Sequence, residues 1–292
     1  MEHYLDNAAT TKPCAEAAEA VVRCMTEQYG NPSSLHRKGL EAQHVMEHAR
    51  QQIAAALGCK AQELLFTSGA TESTNLALRG AVAAHGRKRK KIITSAVEHA
   101  SVRQTLAQLE QQGFTVVAVA PDADGRYHAE DFLREVDGNT CLVSMMLVNN
   151  ENGYRMPVEE TFRGVKRKDP EILTHCDAVQ GFLKVPFRTR SLNADLISLS
   201  GHKVHALKGA GALYLRQGVR IRPILFGGHQ EKSLRPGTES VPLIAAFGAA
   251  AEKLSQTVQE RYEKAAQLRA SLIAQLRTME GVLIRDIPDA SP

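Results

Sequence analysis

Apolar runs of strand length alternate along this chain with longer stretches of helical period. The first clear strand covers residues 63–67 and runs into Ser68 and Gly69. A helix follows it, carrying Leu76, Leu78, Val82 and Ala83. The same reading predicts a strand at 91–94, a helix at 101–112 and a strand at 114–119. Strands are expected again at 141–148, 172–175, 196–199 and 212–215, with a helical stretch near 157–168. This alternation predicts an α/β domain around a mostly parallel sheet flanked by helices. Ligands of such sheets sit beyond the carboxyl ends of the strands.

The pattern changes from residue 243 onward. Leu254, Val258, Tyr262, Ala265, Leu268, Leu272 and Leu276 recur at helical spacings with no turn signal, which predicts one long helix with a break allowed. A further strand is expected at 281–285, so a second, smaller α+β domain is entered there and left incomplete. A chain of 292 residues suits that division, being about twice the commonest domain size.

Composition narrows the class. The chain is 43% hydrophobic, which is enough for a sizeable core, and its formal charge of +4 reflects 36 basic against 32 acidic residues. That excess points to no particular partner. The one dense basic run, residues 87–91, lacks interleaved aromatics and reads as a solvated loop before a strand rather than a nucleic-acid patch. Cys14, Cys24, Cys59, Cys141 and Cys176 are scattered and form no C-x-x-C pair, so neither a zinc site nor a disulfide framework is expected. The opening residues carry neither a basic region nor an apolar one, and no apolar stretch reaches membrane-spanning length. A cytoplasmic setting is expected, with no membrane partner.

Three features carry candidate chemistry. Residues 67–72, Thr-Ser-Gly-Ala-Thr-Glu, lie between a strand and a helix, where small residues and free helix N–H groups can cradle a phosphate. Taken alone, they serve equally well as a helix cap. Asp177 follows a short apolar strand, where a carboxylate can hold a protonated ring nitrogen or simply cap a loop. Lys203 stands just past the strand at 196–199 among small residues. A Schiff-base lysine needs that partly desolvated setting, which lowers its pKa and frees the amine to attack a carbonyl. An anchor for a phosphate, a partner for a pyridinium nitrogen and an amine are together what pyridoxal 5'-phosphate (PLP) requires.

With these motifs the sequence resembles the fold-type I PLP enzymes, and within them the class V cysteine desulfurases of the iron–sulfur and nitrogen-fixation branch. The resemblance runs from Tyr4 to Ile287. It includes residues 4–11, 30–34 with His36, 66–72, Glu98-His99, 149–153, 175–180, 200–203 and 237–239. It implies an N-terminal segment (1–15) associated with the small domain, a PLP-binding large domain (16–255) and the start of the small domain (256–292).

The resemblance also implies residue roles. Lys203 joins the cofactor and moves the substrate's Cα proton. Asp177 pairs with the ring nitrogen and Gln180 with the ring's phenolic oxygen. His99 stacks on the ring and acts as acid or base. Ala70, Thr71, Ser200 and His202 surround the phosphate, and Asn150 lies near the ring and the substrate carboxylate. Thr238 reaches the phosphate of a neighbouring subunit, which implies a homodimer with shared active sites.

The reaction implied is conversion of L-cysteine to L-alanine, with the sulfur carried as an enzyme persulfide to an iron–sulfur scaffold or a tRNA-thiolation enzyme. No metal and no direct nucleic-acid contact are implied. In the family the persulfide cysteine and a carboxylate-gripping arginine lie past the strand expected at 281–285, so the resemblance is to a C-terminally truncated member. Beside Asp177, Cys176 reads as a packed, inert thiol. His205-Ala206-Leu207 stands where relatives carry Tyr-Gly-Pro, and Pro236 where a small residue is common. Two other readings stay open: a class V aminotransferase or selenocysteine lyase, and a non-catalytic PLP-fold module for dimerisation or regulation.

Overall fold

The computed structural model describes residues 3–85, 88–284 and 290–292. Its centre is a seven-stranded sheet in the order β1-β7-β6-β5-β4-β2-β3. The strands are β1 (Leu64–Thr67), β2 (Lys91–Ser95), β3 (Thr115–Val119), β4 (Thr140–Met146), β5 (Leu173–Asp177), β6 (Leu196–Ser200) and β7 (Gly211–Leu215). β7 runs antiparallel to both its neighbours and every other pairing is parallel, which is the mostly parallel sheet expected.

Alternate residues of each strand face opposite ways, so the sheet feeds two cores. Leu65, Leu142, Leu196 and Leu213 pack on one face against α3 (Ala70–His85) and α4 (Ala100–Gln111). Phe66, Val143, Ile197 and Ala212 pack on the other. That second face is covered by α2 (Arg37–Leu57), α5 (Ala129–Glu135), α6 (Val158–Lys168) and α8 (Val241–Ser255). α1 (Ala15–Thr26) lies against α8, and α7 (Thr189–Leu192) is a single turn.

The long C-terminal helix is broken, α8 giving way to α9 (Val258–Leu276) at Gln256 and Thr257. No residue of α9 is buried. The strand expected at 281–285 is corrected over its described part: residues 282–284 are irregular, Leu283 is exposed, and among the described residues no strand takes their backbone hydrogen bonds. Arg285 lies outside the described residues. α1, α2 and α5 were not anticipated from the sequence. Of the basic run, Arg87 lies outside the described residues. Arg89 pairs with Asp169 and Lys91 with Asp137, as a loop feeding a strand would have them.

Candidate active site

The carboxyl ends of β1, β4, β5 and β6 open on one cavity of about 700 Å³. Ala70, Thr71, His99, Asn150, Asp177, Gln180, Ser200, His202 and Lys203 all line it. Thr238 does not: it is exposed on the loop before α8.

The cradle is the junction of β1 with α3. A helix start leaves its first N–H groups without intrahelical partners and carries a partial positive charge. β7 begins directly beneath it, and a Cβ at Gly211 would fall 2.6 Å from the Gly69 Cα, so only glycine allows this approach. Glu72 sits in the first turn, where its charge would oppose an anion. It accepts from the Ser68 N–H at 2.7 Å and from Arg235 Nε at 2.8 Å. Burial alone would raise this carboxyl, but those partners outweigh it and hold it below the ordinary range.

Asp177 closes β5 and is 5% exposed. Burial pushes its carboxyl up, while the Val179 N–H, bound at 3.0 Å, and the nearby His99 and Lys203 favour the charged form. Such a carboxylate is primed for a cationic partner, which would relieve its desolvation.

Lys203 ends a short 3-10 turn after β6. Its amine donates to the carbonyls of Ala8 and of Ala9, the latter at 2.8 Å. Burial lowers its pKa below 10.5, against the pull of Asp6 and Asp177. His99 caps α4, its Nδ1 accepting from the Ser101 N–H at 3.1 Å. With Nδ1 so engaged, the neutral ring carries its proton on Nε2. Gln180 donates from Nε2 to the Ala8 carbonyl at 2.9 Å. Asn150 turns its amide onto Glu151 at 2.6 Å.

A buried polar layer lies between the sheet and α3. His175 is held between the hydroxyls of Ser144 at 2.8 Å and Ser198 at 2.9 Å, and Ser198 is reached in turn by Thr74. Burial drives the His175 pKa down to about 3, so the ring is neutral. Glu98 is 3% exposed, and its Oε1 accepts from Ser95 and from the Met146 N–H. Burial, aided by the charge of Asp177, pushes Glu98 up to about 8.

The aminotransferase class-V family matches residues 3–291. Cysteine desulfurase 1 of Trichormus variabilis is 43% identical over 286 residues, covering 98% of this chain and 69% of that protein. Cysteine desulfurase IscS of Methanosarcina thermophila is 43% identical over 270 residues, covering 92% of this chain and 66% of that one. Among solved structures, a NifS-like protein superposes with a TM-score of 0.95 at 40% identity, covering 100% of this chain and 80% of its own. DndA from Streptomyces lividans gives 0.83 at 41%, covering 95% and 79%. The chain belongs to the cysteine desulfurases.

Against that family the chain's own thiols are informative. None of the five cysteines lines the cavity. Cys176 is fully buried, and burial with the adjacent Asp177 pushes its thiol well above the usual range, so it is a packed thiol and no nucleophile. The unusual loop after Lys203 is firmly anchored. His205 adopts a φ of 57°, donates its N–H to Thr11 Oγ1 at 2.7 Å and pairs its ring with the Lys12 carbonyl at 2.9 Å.

Some of the cavity wall escaped sequence reasoning. The carbonyls of Ala8 and Ala9 carry no side-chain signature. Asp6, Lys208 and Glu151 belong to quoted motifs or their margins, but no role was assigned to them. Lys184, four residues past Gln180, stands outside this cavity in a neighbouring one, and its turn-like spacing from Gln180 was the signal for it.

Proposed function

We propose that this chain is the PLP-binding part of a cysteine desulfurase that converts L-cysteine to L-alanine. One observation carries the reading: Lys203, Asp177 and the helix-start cradle of Ala70 and Thr71 line the same cavity. That donor set fits the cofactor, supplying an amine of lowered pKa, a buried carboxylate and an anion site.

When bound, PLP supplies an electron sink that acidifies the substrate's Cα–H. Lys203 would hold the cofactor and move the proton at the substrate Cα. Asp177 would keep the ring nitrogen in its charged form. Gln180 would donate to the phenolic oxygen, and Ala70, Thr71, Ser200 and His202 would hold the phosphate. His99 would meet the ring and exchange protons with the substrate, and Asn150 would serve the ring and the substrate carboxylate.

A thiol from outside these five cysteines takes the substrate sulfur. Its thiolate bonds to that sulfur as the substrate's C–S bond breaks, giving a persulfide and, after protonation, alanine. The persulfide passes to a sulfur-acceptor protein for iron–sulfur cluster or thio-cofactor synthesis. Two copies share their sites through Thr238, and the chain divides at residues 255 and 256, where α8 ends.

Adding PLP to the protein should produce a visible absorbance band, and L-cysteine with an added acceptor thiol should then yield alanine. Transamination of alanine with a keto acid, without desulfuration, would replace this reading with an aminotransferase.

A further inference from the structure

Gln180 lines the main cavity and also a second one of about 430 Å³, where Lys184 stands. The two residues lie on a tight turn after β5, with the Phe182 N–H on the Ala178 carbonyl at 2.7 Å and the Lys184 N–H on the Gly181 carbonyl at 3.1 Å. A Cβ at Gly181 would come 2.5 Å from Leu147 Cδ2, so a side chain there would push the turn off β4's continuation.

Lys184 Nζ donates to Gln180 Oε1 at 2.6 Å, while Gln180 Nε2 donates to the Ala8 carbonyl at 2.9 Å. An ammonium only donates and a carbonyl only accepts, so the amide has one orientation compatible with both neighbours. Its oxygen faces Lys184 and its NH₂ faces the Ala8 carbonyl, on the wall of the main cavity.

We propose that Lys184 is a positioning residue, which fixes the Gln180 amide so that Nε2 is offered as a donor to an oxyanion of the bound cofactor ring. The proposal rests on the PLP reading above. Without Lys184 the Gln180 oxygen loses its donor and only the Ala8 carbonyl still orients the amide, so the turned amide, with its oxygen toward the ring oxygen, becomes more accessible. Lys184 is half-buried, and among the described residues the partner of its amine is the Gln180 amide oxygen. Burial and the Lys203 cation push Lys184 down to about 8. Among the described residues, the ionisable groups around it are Lys203 and His202 after β6, and Glu151, His205, Arg261 and Tyr262 of the second cavity.

The test is the pH midpoint of the visible absorbance of the PLP-loaded protein. A donor to the ring oxygen favours the deprotonated chromophore, so losing it raises the midpoint. Lys184→Met should raise it by about one unit, a tenfold change in proton affinity. Lys184→Gln, which keeps a donor but no charge, should stay near the parent. In a Gln180→Ala background, Lys184→Met should add nothing. An equal shift in Lys184→Met and Lys184→Gln, or a full shift in the Gln180→Ala background, would show a bare charge effect and overturn the proposal. A parent protein that gains no absorbance with PLP would instead overturn the functional reading beneath it.

Discussion

Lys203 Nζ donates to the carbonyl of Ala9 at 2.8 Å, tying together two positions 194 residues apart in the chain. The N-terminal segment thus forms part of the wall around the proposed cofactor lysine. Thr11 strengthens the tie, its N–H bonding to the His202 carbonyl at 2.9 Å.

This setting makes a statement about rate. Burial holds Lys203 below 10.5, and only its neutral amine attacks a carbonyl. The rate of PLP capture should therefore rise with pH and level off below the range of an exposed lysine. Stopped-flow absorbance across a pH series reads that midpoint. A plateau reached only at the pH of free lysine would contradict the desolvation argument.

A second prediction concerns Arg50. Its guanidinium meets both oxygens of Glu231, at 2.6 and 3.0 Å, and Glu231 also accepts from the Phe66 N–H at 2.8 Å. The pair pins the loop carrying Thr238 to β1 and pays for left-handed backbone at Glu231, Lys232 and Ser233. Arg50→Met strands a buried carboxylate and should cost about 3–5 kcal/mol, measured by denaturant unfolding.

Glu98 yields a pH dependence of definite sign. Its folded pKa is raised from 4.5 to about 8, so the folded protein keeps a proton that the unfolded chain has lost. Its contribution to stability therefore falls as pH climbs through that window. Glu98→Gln removes the penalty, so its denaturation midpoint should gain on the parent between about pH 5 and about pH 8.

His175 works in the opposite direction. Its pKa falls from 6.5 to about 3, so the unfolded chain binds the extra proton and stability is lost as pH drops through that range. His175→Leu should cost about 1–3 kcal/mol near neutrality by orphaning the Ser144 hydroxyl and leaving Ser198 with Thr74 alone. The deficit should shrink in acid, and unfolding curves at two pH values check it.

The sheet and the cavity were largely readable in the sequence because both follow from strand ends. Asp177 and Lys203 each stand just past an apolar run, and small residues mark the turn at 67–72. α1 and α2 were not, since the core face of α2 mixes Met46, Ile53 and Leu57 with Gly39, Ala42, Ala49, Ala54 and even Arg50, which blurs the apolar contrast. Leu283 looked like strand material because apolarity alone cannot say whether a partner strand exists. The Lys203–Ala9 contact was invisible for a different reason: a backbone carbonyl is present at every residue, and only the fold chooses which one arrives.

The central claim is that Lys203 is the residue that binds PLP covalently. Loading the protein with PLP, reducing it with borohydride and mapping peptides by mass tests this directly. A single reduced-cofactor adduct on Lys203 is expected, and it should disappear in Lys203→Ala. An adduct on another lysine, or one that survives Lys203→Ala, would contradict it.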